Sequence, residues 1–283
     1  MLKKLKKSIH QFFNKKEEKV PKTVSEKQLQ YPEYLTPNYV WNLFDVKRDH
    51  EAFALLEKYE SCFTTENYGV TGEILLQFGY YDKALYYLEI AANEGDAISF
   101  QSIGTIYQHV LAYRDLDYAL YCFKQSLKMG NKNALISLAD IYIEEQEYLD
   151  FKKSKYYAEQ AIENGFYIAY YYLGKYYAEH DNFIKAKELF SKLSEYEFHT
   201  SSEYGLSLLY YRYKNYDEYN PLKAKEIVEF MFNNRQEHER HSFIGDFYAA
   251  DTEFQNLELA KQYYKDGIQN GCLYSELRLS LIQ

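Results

Sequence analysis

YYDKALYYLEIAANEG, residues 80–95, reads as one helix with a marked end, and its pattern recurs five more times along the chain. The small residue Ala84 is matched by Ala119, Ser154, Ala186, Ala224 and Ala260, at steps of 35, 35, 32, 38 and 36 residues. Eleven residues after each stand Gly95, Gly130, Gly165, Glu197, Arg235 and Gly271. Four residues before each stand Tyr80, Asp115, Asp150, Asn182, Asn220 and Asn256. Asp and Asn are preferred helix N-caps because a side-chain oxygen accepts an otherwise unpaired backbone N–H. Pro221 after Asn220 suits the first helical position. A glycine about fifteen residues on suits the left-handed residue that ends a helix. Apolar or small residues at +3, +4, +7 and +8, as in Tyr87, Leu88, Ala91 and Ala92, complete an amphipathic stripe. Each repeat therefore contains a capped helix, here called helix B.

A second helix, helix A, fits between each glycine and the next cap. It carries a large aliphatic, a small residue and an aromatic three later: Ile103-Gly104 with Tyr107, Leu138-Ala139 with Tyr142, Leu173-Gly174 with Tyr177, and Ile244-Gly245 with Tyr248. A mid-helix glycine costs about 1 kcal/mol against alanine, so its return at one register points to close backbone packing. Helix pairs repeated at this period stack into a solenoid in which each pair contacts only its neighbours. The expected fold is all-α, a right-handed superhelix of about six helix pairs.

The pattern resembles the Sel1-like repeats, relatives of the tetratricopeptide repeats, over roughly residues 66–283. Asp82-Lys83-Ala84 through Tyr87, Ala91-Ala92 and Gly95 match the second half of that repeat, and Leu173-Gly174 with Tyr177 match the first. The chain lacks the family's G-x-G-V loop, shortens the repeat around Ala186, and has Glu197 and Arg235 in place of two terminal glycines. The resemblance implies a protein-binding solenoid without catalytic function. It further implies a bacterial setting in host interaction, signalling or secretion, including immunity proteins that neutralise a delivered toxin.

In such a solenoid the A helices line the concave wall. Positions −2, +1 and +5 from the small residue lie opposite the packed stripe at 100° per residue. They are Ser102, Thr105 and His109, then Ser137, Asp140 and Glu144, then Tyr172, Lys175 and Glu179. These nine are the expected protein-binding residues.

The net charge of −9 is unevenly spread: residues 1–22 hold eight lysines and two glutamates, leaving 25 basic and 40 acidic residues beyond. An acidic body repels phosphate backbones and favours a basic protein partner, so no nucleic acid is expected. Residues 1–35 read as a basic, flexible tail, 36–65 as capping helices containing Trp41, and 66–283 as the repeats. Leu2, Leu5, Ile9, Phe12 and Phe13 fall on one helical face of the tail, which leaves peripheral membrane contact as a secondary possibility.

There is no secretory signal and no apolar run of about 18 residues, so the protein is placed in the cytoplasm. Cys62, Cys122 and Cys272 are scattered, as small core residues would be. His238-Glu239-Arg240-His241 is one residue short of the zinc-protease H-E-x-x-H, and no phosphate loop, dinucleotide fingerprint or nucleophile elbow occurs. No catalysis, cofactor or metal is expected. The specific expectation is an immunity protein that binds a basic toxin or effector. The alternative is a general adaptor or scaffold in signalling or secretion, and the sequence leaves the oligomeric state open.

Overall fold

A computed structural model describes Leu43, residues 49–59, Phe63, residues 65–234 and residues 240–282. The tail, Trp41, Cys62, Arg235, His238 and Glu239 lie outside the described residues. The chain divides into two compact units, Met1–Cys62 and Phe63–Gln283. In the first, Leu43 and helix α1 (Asp49–Tyr59) are described, with Ala52 and Leu56 buried.

The second unit carries thirteen further helices and no strand among the described residues. They alternate A and B: α2 (Thr65–Gln77) with α3 (Tyr81–Asn93), α4 (Ala97–His109) with α5 (Leu116–Lys128), and α6 (Ala134–Glu144) with α7 (Phe151–Glu163). Then follow α8 (Tyr170–Ala178) with α9 (Phe183–Lys192), α10 (His199–Tyr211) with α11 (Pro221–Asn234), and α12 (Arg240–Ala249) with α13 (Leu257–Gln269). A last A helix, α14 (Leu273–Ser280), completes the array. Each B helix packs on its own A helix and on the next one, and successive A helices pack on each other. The fold is an all-α solenoid of six helix pairs, with the A helices on its inner wall.

All five Asp and Asn caps form as the sequence implies. Asp115, Asp150, Asn182, Asn220 and Asn256 each accept a hydrogen bond from the backbone N–H three residues on, at 3.0 to 3.2 Å. Tyr80, the exception, makes no side-chain cap bond. The same cap residues donate their own N–H back to helix A. Asp115 bonds the Tyr107 carbonyl, Asp150 that of Tyr142, Asn220 that of Tyr210 and Asn256 that of Tyr248, all within 2.9 Å.

At the far end of helix B, Gly95, Gly130, Gly165 and Gly271 take positive φ, and so does Glu197 at +68°. Gly95 donates to Ala92 and Asp96 to Ala91, and Glu197 and Phe198 repeat this with Ser194 and Leu193. The turn thus survives without its glycine. The 32-residue step has an equally local cause. The links of the two preceding pairs contain a three-residue 3₁₀ turn, Leu111–Tyr113 or Gln146–Tyr148. Between α8 and α9 that turn is missing, and Asp181 closes the link at φ +58°.

The mid-helix glycines face large side chains of helix B. A Cβ on Gly104 would stand 2.6 Å from the Phe123 ring, one on Gly174 2.6 Å from Phe190, and one on Gly245 2.5 Å from Tyr264. In the α6–α7 pair the glycine is Ala139, and the residue nineteen on, which is Phe123 or Tyr264 in two other pairs, shrinks to Ala158.

Gly104→Ala should therefore destabilise by about 1–3 kcal/mol through overpacking, read as a lower urea midpoint with an unchanged slope. Glu197→Gly should stabilise by ~0.5 kcal/mol and raise the midpoint, because relief of left-handed strain exceeds the added chain entropy of glycine.

Candidate functional site in the concave cavity

Because the solenoid curls, α14 packs on α12 and α13 and also reaches α4. There the Tyr274 ring lies 4.4 Å from that of His109. Between them the inner wall encloses a cavity of about 720 Å³, built from α4, α6, α8, α10, α12, α14 and neighbouring loop residues. That volume is in the range of clefts that bury a small ligand or several peptide residues.

Of the nine expected residues, His109, Asp140, Glu144 and Tyr172 line this cavity. Ser102, Thr105, Ser137, Lys175 and Glu179 do not. Adjacent A helices bond to one another at this register. Ser102 is buried and donates to Glu73 of α2. Thr105 donates to the Gln101 carbonyl of its own helix. Asp140, 7% exposed, accepts from Gln108 of α4 at 2.7 Å. Lys175, 3% exposed, is ion-paired to Glu144 of α6. Ser137 is half-buried, and exposed Glu179 accepts the Tyr213 hydroxyl at 2.6 Å.

Several cavity residues escaped the sequence reading. Arg114 pairs with Glu145 at 2.6 Å and donates to the Gln108 carbonyl, which ties the α4–α5 link to the end of α6. Tyr171, Tyr204 and Phe243, from α8, α10 and α12, form a column of near-parallel rings. Tyr204 lies 3.9 Å from Phe243 and 6.0 Å from Tyr171. Asp246 accepts the Tyr204 hydroxyl at 2.7 Å and the Tyr264 hydroxyl at 2.8 Å, and Arg278 approaches it at 3.4 Å. Phe243 and Asp246 are the −2 and +1 positions around Gly245, so the same rule carried to α12 finds both. Arg114, Tyr274 and Arg278 have no such marker.

The cavity is acidic. Asp140, Glu144, Glu145, Glu147, Glu197 and Asp246 stand against two guanidiniums, Arg114 and Arg278. Burial, reinforced by Arg114 and Arg278, pulls His109 down to about 3, so its imidazole adds no charge at neutral pH. Burial and the Glu144 carboxylate push Asp140 up to about 7. Burial also raises Glu144, but Lys175 and Arg278 outweigh it and hold that carboxyl below its ordinary range. Carboxylates beside stacked rings make a site for cations, which gain from both Coulomb attraction and the ring faces.

No family profile matches the sequence and no curated protein matches it. Solved structures do. A protein described as a sel1 repeat protein from Klebsiella pneumoniae subsp. pneumoniae is 16% identical over 69% of this chain and 97% of its own, with a TM-score of 0.45. A Sel1 repeat protein from Oxalobacter formigenes is 16% identical over 87% and 75%, at 0.48. A protective antigen of uropathogenic Escherichia coli displaying an SLR fold is 15% identical over 87% of this chain, at 0.51. This chain spans 56% of that antigen. The fold is that of a Sel1-like repeat solenoid.

In this Sel1-like solenoid, Cys122 and Cys272 are buried free thiols. Among the described residues, no cluster of His, Cys, Asp and Glu is placed to hold a metal, and no helix is long and apolar enough to cross a membrane.

Asp140 and His109 act on stability with opposite sign. Asp140 holds its proton in the fold up to about pH 7, whereas unfolded it releases the proton near 3.8, so its contribution falls as pH rises through that window. His109 stays neutral in the fold down to about pH 3, whereas unfolded it protonates below 6.5, so its contribution is lost as pH falls. Asp140→Asn removes the first and leaves the second. Relative to the parent, the variant should gain stability with rising pH from about 4 to 7, by at most ~1.4 kcal/mol per unit. Urea midpoints across that range check it; identical pH profiles for the two proteins would refute the raised Asp140.

Proposed function

We propose that the solenoid is a protein-interaction module that receives a basic segment of its partner in the concave cavity. The observation that carries this is the lining itself, six carboxyl side chains against two guanidiniums around a column of aromatic rings. A Lys- or Arg-rich segment is steered toward such a field and held there by charge and ring faces together. The acidic balance of the chain beyond residue 22 extends the same field. The fold supports the reading because stacked helix pairs present an extended concave wall of the kind that binds other proteins.

The more specific role we propose is immunity, with the chain in the cytoplasm binding and neutralising a basic toxin or effector. Its support is the acidic cavity together with the family resemblance. A general adaptor would use the same cavity, and the two separate by phenotype. Co-expression should protect cells from a toxin encoded beside this gene; failure to protect removes the immunity role and leaves the adaptor.

The cavity itself is tested by charge reversal at its exposed rim. Glu147→Lys with Glu197→Lys should weaken binding of a Lys/Arg-rich peptide, chiefly through a slower on-rate, and flatten its dependence on salt. Stopped-flow association at two ionic strengths measures both, and an unchanged on-rate would place the binding surface elsewhere.

A further inference from the structure

Of the two guanidiniums of the chain seated in that acidic cavity, Arg278 is the one held by the last helix. Arg278 of α14 reaches Asp246 of α12, with its Nε 3.4 Å from Oδ1. Asp246 is prepared for it. Both carboxylate oxygens accept phenolic hydroxyls, Oδ2 from Tyr204 and Oδ1 from Tyr264, which fixes the plane of the carboxylate. Each oxygen still has a lone pair to offer. Tyr204 is in turn stacked against Phe243, so a flat apolar wall adjoins the carboxylate. A fixed carboxylate beside a ring face suits a planar guanidinium, which can bond in fork geometry and stack, better than it suits a compact ammonium.

The helix that delivers Arg278 has the fewest fully buried residues of the inner wall. Ser275 is the one buried residue of α14, whereas α10 buries nine. Besides its packing on α12 and α13, it is tied by Ser242 to Ser275 at 2.8 Å, Ser242 to Cys272 at 3.2 Å, the Tyr274 ring on His109, and Arg278 itself. Elements with little buried surface open locally at low cost. When Arg278 leaves, Asp246 keeps both phenolic hydrogen bonds, so the vacated carboxylate stays aligned.

We propose that Asp246 and the Tyr204 ring form a guanidinium subsite that an arginine of the partner takes over, and that Arg278 is its occupant in the free chain. This rests on the basic-segment reading above and adds which cation is read and what must move. Partner binding then competes with the docking of α14, and arginine is preferred to lysine.

Isothermal titration of the full chain with tri-arginine amide and tri-lysine amide tests it. Arg278→Gln should bind tri-arginine about tenfold more tightly than the parent, because the internal competitor is gone. Adding Asp246→Asn to that variant should abolish the preference for arginine over lysine. In the parent, tri-arginine should speed amide exchange across Tyr274–Ser280 while leaving α10 protected. If the parent and Arg278→Gln bind tri-arginine equally, or α14 keeps its protection in the complex, the subsite is refuted and the acidic cavity stands as the site of basic segments. If neither protein binds either peptide, both readings fall together.

Discussion

At the start of each B helix from α5 onward, one Asp or Asn holds two helices at once. Its side chain closes the first turn of helix B, and in all five pairs its backbone N–H reaches a tyrosine carbonyl near the end of helix A. In four of them, Tyr107, Tyr142, Tyr177 and Tyr248, that tyrosine stands three residues beyond the small residue. The link can stretch by a 3₁₀ turn or lose it, yet the two bonds recur. Helix A therefore meets helix B at a constant register, which is what brings the small residue of A against the large ring of B. From that register follow the packing of successive A helices, the curl of the array and the cavity inside it.

This is also why the fold was legible in the sequence and the site only partly so. Caps and helix-ending glycines are local features whose physics is complete within a few residues, so spacing alone locates them. Glu197 shows the limit of reading by residue type, since the turn it makes is held by two backbone hydrogen bonds that any residue supplies. Periodicity puts the nine positions opposite the packed stripe of helix A, and four of them line the cavity. Their exposure was not predictable, because it depends on how closely the next A helix packs, and that depends on side chains some thirty residues away. Gln108 with Asp140 and Lys175 with Glu144 are pairs of this kind. Arg278 and Tyr274 are further still, brought to the cavity by the accumulated rotation of six pairs.

The abundance of tyrosine has a structural account alongside any compositional bias. Tyr113 reaches Asp82 and Tyr213 reaches Glu179, each at 2.6 Å, and Tyr148 reaches Asp117, so phenols link one repeat to the next at the A–B links. Inside, Tyr171 and Tyr204 supply ring faces and Tyr204 and Tyr264 orient a carboxylate. A ring that packs on one side and donates on its rim suits a thin wall of one A and one B layer, where many side chains are only half-buried.

That thin wall decides how charge is handled. In a globular core, a carboxyl such as Asp140 would be excluded or tightly paired, because an isolated buried charge is costly. Here the A helices pack closely enough to desolvate it but leave a cavity on the other side, so it is held by one hydrogen bond from Gln108 and pushed toward its neutral form. Glu144, one turn on, is kept ionised by Lys175. The inner wall is thereby graded, from a carboxyl near its titration point, through one fixed by a lysine, to Asp246, which two phenols orient and one arginine neutralises. A cation entering the cavity gains most where the carboxylate is already aligned and its resident partner is loosely tethered. Of the three positions only Asp246 meets both conditions, because its cation comes from the inner-wall helix with the fewest fully buried residues.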